Sequence, residues 1–434
     1  MITKLLSKLD VHTLEVVKKS FSSIIVKVLG VLIVIGLSVF LARTIGAEGL
    51  GIINLSHRIV AILLIVGLFG MTKVIIKEVA IALNKNELQH IGNVMHTSYW
   101  LNGSITILLS ALLILSSPWL ANNIFQEPKL TYPLIISFVV MTPQVFSRIF
   151  SSGLIGYRKI WQSNLVEQTL SAFLTGLFLL LYWLFLGELN VNIVAVFYAI
   201  GRIGVTICVG LYWKKLYLNN GQNKKIFNQL LKTAKPLFLV SIAGVIINSS
   251  DIIILGLFSS AKEVGIYLVA ARISLLTNML LLVTNSAISP KIATLYADKD
   301  TRSMENMLKK ITKGLFIIGL FVYFIFITFG DWILAIWGPE FREAYPILLI
   351  LGFGQLINLG TGAVGMVLTM TGHEKIQRNI SITFMVIFLT LSFFLASKYG
   401  ILGSAIASAI TISGINLAKL FYVKKHIKIN IYRK

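Results

Sequence analysis

Deep within long apolar runs of this 434-residue chain stand four bases, Lys27, Arg58, Arg202 and Arg272, and one clear acid, Asp251. An ionisable group deep in a bilayer costs a few kcal/mol on insertion scales, so it normally faces a bundle interior or a watery cavity. Four bases against one clear acid point to an anionic cargo. Arg58 and Arg272 each stand seven residues past a glycine, Gly51 and Gly265. At ~1.5 Å per residue this puts both about 11 Å below the same membrane face. Asn54 lies one turn from Arg58. Ser241, Gly244, Asn248 and Asp251 fall at i, i+3, i+7 and i+10, a polar and small stripe on an otherwise apolar helix. Asp251 and Arg272 lie about 22 and 19 Å above the opposite face, near enough in depth to meet. That pairing is open to two readings, a structural ion pair or a part in substrate or ion binding. Lys27 can line a cavity or snorkel to the headgroups. Arg202 stands near the middle of the sixth apolar run.

The elements that position these residues are membrane helices. The chain is 56% hydrophobic and 13% charged, about half the charge of a soluble protein. Apolar runs of about 20 residues recur end to end. They predict twelve spans near 22–44, 50–72, 95–116, 131–152, 163–186, 191–213, 236–258, 264–288, 311–330, 344–370, 378–397 and 401–422. The Gly-rich tenth is predicted to tilt or kink. With both termini inside, 30 Lys and Arg residues fall in cytoplasmic segments and 5 in outer ones, as the positive-inside bias requires. The net charge of +22 is then mostly an orientation signal, and a nucleic-acid partner is rejected. Cys208 is the single cysteine, so no disulfide forms within the chain. The first run is long enough to span and follows an amphipathic basic stretch, so no cleavable leader is expected.

Ordered identities recur at nearly constant offset. Gly51-Ile52 and Arg58-Ile59 return as Gly265-Ile266 and Arg272-Ile273, and Lys77 returns as Lys291, all at 214. Trp119 and Tyr132-Pro133 return as Trp332 and Tyr345-Pro346; Gly156 and Lys159-Ile160 return as Gly372 and Lys375-Ile376. Such order predicts two lobes, 1–220 and 221–434, each of six helices. An even number gives both lobes one orientation, with a pseudo-twofold axis along the membrane normal and a substrate path between them. The expected fold is an all-α integral membrane bundle.

Amphipathic basic stretches at Lys4–Lys19, Lys73–Gln89 and Pro290–Lys310 are too polar to span and are expected in the cytoplasmic interface; an ordinary solvated loop competes for the last. No Gly-rich loop ends in Lys-Ser/Thr, so ATP hydrolysis by this chain is not expected. The six histidines are scattered, and Asp331, Glu340 and Glu343 share one outer loop without tight spacing. Neither a metal, a cofactor nor an enzymatic activity is predicted.

Several of these residues carry a resemblance. Lys235-Pro236-Leu237-Phe238, Asn248, Asp251 to Gly256, Glu263-Val264-Gly265-Ile266-Tyr267, Ala270-Ala271-Arg272-Ile273, Pro290 and Gly156-Tyr157-Arg158-Lys159 are similar to the polysaccharide-export, Wzx-type branch of the multidrug/oligosaccharidyl-lipid/polysaccharide flippase superfamily. The resemblance covers essentially the whole chain. It implies a MATE-like two-lobed bundle whose central cationic cavity opens alternately to either side. The cargo it implies is an undecaprenyl-diphosphate-linked oligosaccharide, an O-antigen or other surface-polysaccharide unit, carried outward across the bacterial inner membrane. Arg58, Arg272 and Lys27 match the family's basic positions, with Arg202 added as a fourth cavity base. Asn54, Asn248, Asn278 and Asn285 supply polar walls, and Asp251 is a candidate for ion coupling. A polysaccharide polymerase and a chain-length regulator are the implied partners. The competing reading is an ion-coupled multidrug or metabolite exporter.

Overall fold

A computed structural model describes residues 11–217, 224–427 and 429, with the side chains of 11–25, 167, 168, 236, 239, 240, 243, 244, 247 and 248 outside the description. Among the described residues every regular element is a helix. In order they are α1 (Val11–Leu68), α2 (Met71–Asn84), α3 (Leu88–Trp119), α4 (Thr131–Gly156), α5 (Ile160–Asn164), α6 (Ser171–Leu186), α7 (Val191–Leu216), α8 (Phe227–Phe258), α9 (Ala261–Leu275), α10 (Asn278–Ala297), α11 (Thr301–Ala335), α12 (Tyr345–Thr361), α13 (Val364–Met370) and α14 (Glu374–Tyr422).

Eight helical runs are long and apolar enough to cross a membrane. Two of them are too long for one crossing. Val26–Leu68 has 43 residues and Glu374–Ile427 has 54, against about 20 for one bilayer core. Each is interrupted at one glycine with left-handed backbone, Gly46 (φ 70, ψ −177) and Gly400 (φ 55, ψ −133). That conformation is open to glycine at little cost and reverses a helix without a loop. With α6 and the end of α8 as shorter apolar segments, the crossings number twelve among the described residues. Large side chains such as Leu115 (81% exposed) and Phe185 (79%) cover the outer faces, as they must where the solvent is lipid.

The contacts divide the chain into two compact units. The first holds the chain up to Ile45 and Ser56–Val245; the second holds Gly46–Leu55 and Ile246 onward. In the first unit, neighbouring side chains fix the helix directions. Thr169 meets Val26 and Gly176 meets Leu37, so α6 runs parallel to the first half of α1. Ser137 meets Ser56, and Val145 meets Gly67, so α4 runs parallel to the second half. Tyr99 against Phe150 and Gly103 against Phe146 make α3 antiparallel to α4. Thr206 against Pro143 and Gly153 against Trp213 make α7 parallel to α4, while Gly201 against Thr175 sets α6 antiparallel to α7. The six crossings therefore alternate up and down. A buried seam on α3, Ser98, Asn102, Thr106 and Ser110 at every fourth residue, allows close approach. The Asn102 Nδ2 amide donates to Gly67 O at 2.8 Å, as small and polar residues do at membrane helix contacts.

In the second unit, α11 runs antiparallel to α12, with Gly319 against Leu356 and Gly330 against Tyr345. Glycine contacts Gly354–Ala409 and Gly365–Lys419 make α12 and α13 parallel to the second half of α14, whose own halves pair antiparallel through Phe384 and Gly414. The Gly-rich tenth span breaks at Gly362 (φ 69, ψ −149), the kink expected there. Two sequence expectations change: the eighth span is two helices, broken at Leu276–Thr277. The stretch Pro290–Lys310 forms no separate surface element: it is the end of α10, a turn, and the start of α11. Its apolar Ile292, Leu295, Met304 and Leu308 are buried in one cluster with Val364, Val367 and Leu368. Burial of that stripe outweighs the polar side chains around it. By contrast Lys73–Gln89 overlaps α2, a short amphipathic helix burying Met71, Val74, Ile75, Val79 and Ala82.

Candidate functional site

The repeat glycines come together. Within the second unit a methyl on Gly51 would collide with the Ala261 carbonyl, and one on Gly265 would collide with the Ala47 carbonyl. The contact is reciprocal, each glycine meeting the carbonyl four residues before its counterpart. Two backbones thus touch where side chains would otherwise hold them apart. Both helix starts are capped. Ser260 Oγ accepts from Glu263 N while Glu263 Oε2 accepts from Ser260 N, the capping box written in Ser-x-x-Glu. After Gly46, the Ala47 N–H donates to Glu340 Oε1 at 2.8 Å, a cap supplied from 293 residues away.

Farther along this crossing, Arg272 Nη2 donates to Asn54 Oδ1 at 3.4 Å. Asn54 Nδ2 in turn donates to Leu50 O at 2.8 Å, which sets the amide oxygen toward the guanidinium. At 3.4 Å the bond is long. The guanidinium fork matches phosphate geometry, and a phosphate oxygen is a stronger acceptor than an amide. Just past the break after α9, Asn358 Nδ2 donates to Asn278 Oδ1 at 2.6 Å and to Gln355 Oε1 at 3.1 Å. Gln355 and Asn358 were not among the sequence candidates. Their i, i+3 spacing in an apolar helix was the signal.

The remaining candidates are placed but not all gathered. Arg58, Lys27 and Arg202 are half-buried in the first unit, and Asp251 is half-buried in the second. Asn248 lies in α8 with its side chain outside the described residues. Arg202 contributes its carbonyl to Thr206 Oγ1 at 2.9 Å. A cavity of about 920 Å³ in the first unit lies among α3, α4 and α7, lined by Tyr99, Phe146, Phe150, Trp213 and Lys214; Lys27, Arg58 and Arg202 are not part of its wall. Asp331, Glu340 and Glu343 have partners: Glu340 caps a helix, Glu343 lies 3.7 Å from Lys262 Nζ, and Asp331 lies 3.6 Å from Arg342 Nε. Among the described residues no three His, Cys, Asp or Glu side chains gather as a metal site would need.

The sequence profile of the family described as "Polysaccharide biosynthesis protein" matches residues 16–296, well over half of the chain. The chain belongs to the polysaccharide biosynthesis protein family. A second profile, MatE, matches residues 236–396. As a family member it is 28% identical over 219 residues to "Capsular polysaccharide biosynthesis protein CapF" of Staphylococcus aureus, a match covering 49% of this chain and spanning about half (53%) of that relative. It is 23% identical to "Putative O-antigen transporter" of Shigella flexneri, over 86% of this chain and 89% of that one. Two solved structures share the fold. An inward-facing MATE multidrug transporter matches with a TM-score of 0.71 at 14% identity, covering 92% of this chain and 94% of the transporter. The lipid II flippase MurJ, in an inward closed conformation, matches with 0.72 at 16% identity, covering 94% and 87%. The protein is therefore a multi-pass membrane protein of MATE-like fold.

Proposed function

We propose that this protein is a flippase for a lipid-diphosphate-linked oligosaccharide, moving it from the cytoplasmic to the outer leaflet of a bacterial cytoplasmic membrane by alternating access. The observation that carries the reading is Arg272, a half-buried guanidinium held by Asn54 beside the glycine crossing, in a chain whose relatives are named for polysaccharide transport. A diphosphate carries about two negative charges, and in a site of low effective dielectric an arginine compensates them far more strongly than in water. Arg58, the repeat counterpart of Arg272, is the second basic residue of this reading, with Lys27 and Arg202 as further contributors and Asp251 as the ion-coupling candidate. The two lobes of the reading are the halves 1–220 and 221–434. A polysaccharide polymerase and a chain-length regulator are its partners, and both termini face the cytoplasm. A cysteine at Lys299 that reacts with impermeant reagent in whole cells would reverse that orientation.

The deciding experiment replaces Arg272 by Ala and by Lys and measures surface polysaccharide at matched protein level. Loss in the Ala variant with partial retention in the Lys variant is expected; normal polysaccharide in the Ala variant refutes the reading. The MatE match over 236–396 favours multidrug export as the second reading. A drug-accumulation defect in the deletion strain, with normal polysaccharide, would establish that one instead.

A further inference from the structure

Lys419 belongs, by sequence, to the basic set at the cytoplasmic end of the last helix, three residues before α14 ends at Tyr422. A lysine there can reach out to headgroups along its stem. It does not. Its side chain turns toward α13 and is half-buried there. A methyl built on Gly365 would stand 3.5 Å from Lys419 Nζ and 3.9 Å from Gln377 Nε2. Gln377 is oriented by Thr369, whose hydroxyl lies 2.8 Å from Gln377 Oε1 and 3.0 Å from Gly365 O; this leaves the amide nitrogen toward the bare glycine. Among the described residues, no hydrogen bond or ion pair engages the Lys419 ammonium. Glu374, one turn before Gln377, is exposed and does not pair with it. The half-buried ammonium and the Gln377 amide nitrogen converge as donors on the glycine's open face, an arrangement that accepts an anion.

We propose that Lys419, Gln377 and the open face at Gly365 form a second phosphate subsite in this unit, which takes a phosphate group carried on a lipid and receives the substrate diphosphate. The proposal rests on the flippase reading. The same chemistry would accept the phosphate of an ordinary anionic phospholipid, so the test uses two probes. Binding of undecaprenyl diphosphate and of phosphatidylglycerol to the purified full-length protein is measured by native mass spectrometry. Lys419→Gln keeps the stem and removes the charge. Gly365→Asp places a carboxylate beside the ammonium and fills the site from within. Both are expected to weaken undecaprenyl diphosphate by about tenfold, the size of one charge-assisted hydrogen bond, and to leave phosphatidylglycerol unchanged. Gly365→Asp is also expected to raise the melting temperature, because it pairs the half-buried cation. Loss confined to phosphatidylglycerol, or no loss with either probe, overturns the proposal. Arg272→Ala in parallel separates the two ideas. If it abolishes surface polysaccharide while Lys419→Gln binds normally, only the subsite falls; if it leaves polysaccharide intact, the flippase reading falls.

Discussion

Replacing Gly265 by Ala tests the crossing that sets Arg272 against Asn54. The added methyl would lie 2.8 Å from the Ala47 carbonyl carbon and 3.1 Å from Gly51 N. Carbon atoms rest at about 3.5–4.0 Å, and the Ala47 carbonyl oxygen is closer to the methyl than its carbon, so the backbones must part by about 1 Å or more. The Arg272–Asn54 bond, already 3.4 Å, would not survive that separation. Overpacking of this kind costs about 1–3 kcal/mol, against a gain of up to ~1 kcal/mol from alanine's helix propensity. The net expectation is a lower melting temperature in detergent, read by fluorescence-detected size exclusion. Gly314→Ala is the control, since nothing lies within 4 Å of a methyl there; it is expected to be neutral or stabilising. Gly51→Ala meets the mirror-image clash, with the Ala261 carbonyl carbon also at 2.8 Å. One separation accommodates both methyls, so the double variant should lose less than the two single losses combined. A Gly265→Ala protein that melts with or above the Gly314→Ala control refutes the close-crossing argument.

Two further outcomes can be checked in the same assay. Glu340→Ala removes the acceptor for Ala47 N–H and should cost about 1 kcal/mol, typical of a lost helix cap; Glu340→Gln keeps an acceptor and should cost less, so equal effects would discount the hydrogen bond. Asp300 caps α11 by accepting from Ser303 N at 3.0 Å, and that hydrogen bond, backbone first, holds its carboxyl below the ordinary 3.8. Its contribution to stability is present above the unfolded value and is lost as pH falls through the lower folded one, so Asp300→Ala should flatten the acid limb of a melting profile below about pH 4. An unchanged limb would remove Asp300 from the account.

Sequence alone determined the class, the number of crossings and the first candidates. Those conclusions rest on the solvent: a bilayer demands apolar runs of a set length and makes every charge within them conspicuous, and Arg58 and Arg272 are conspicuous in just this way. The recurrence at an offset of 214 also marked Gly51 and Gly265, though not that they touch. Tertiary structure decided what depends on which faces meet. The segment Gly46–Leu55 joins the second unit because glycine permits backbone contact there, and no local signal records a partner more than 200 residues away. Gln355 and Asn358 gain meaning only beside Asn278. Lys419 is indistinguishable in sequence from the basic residues that record orientation. Its inward turn against Gly365 follows from the packing of α13 on α14, since the direction of a flexible four-carbon stem is set by the space around it.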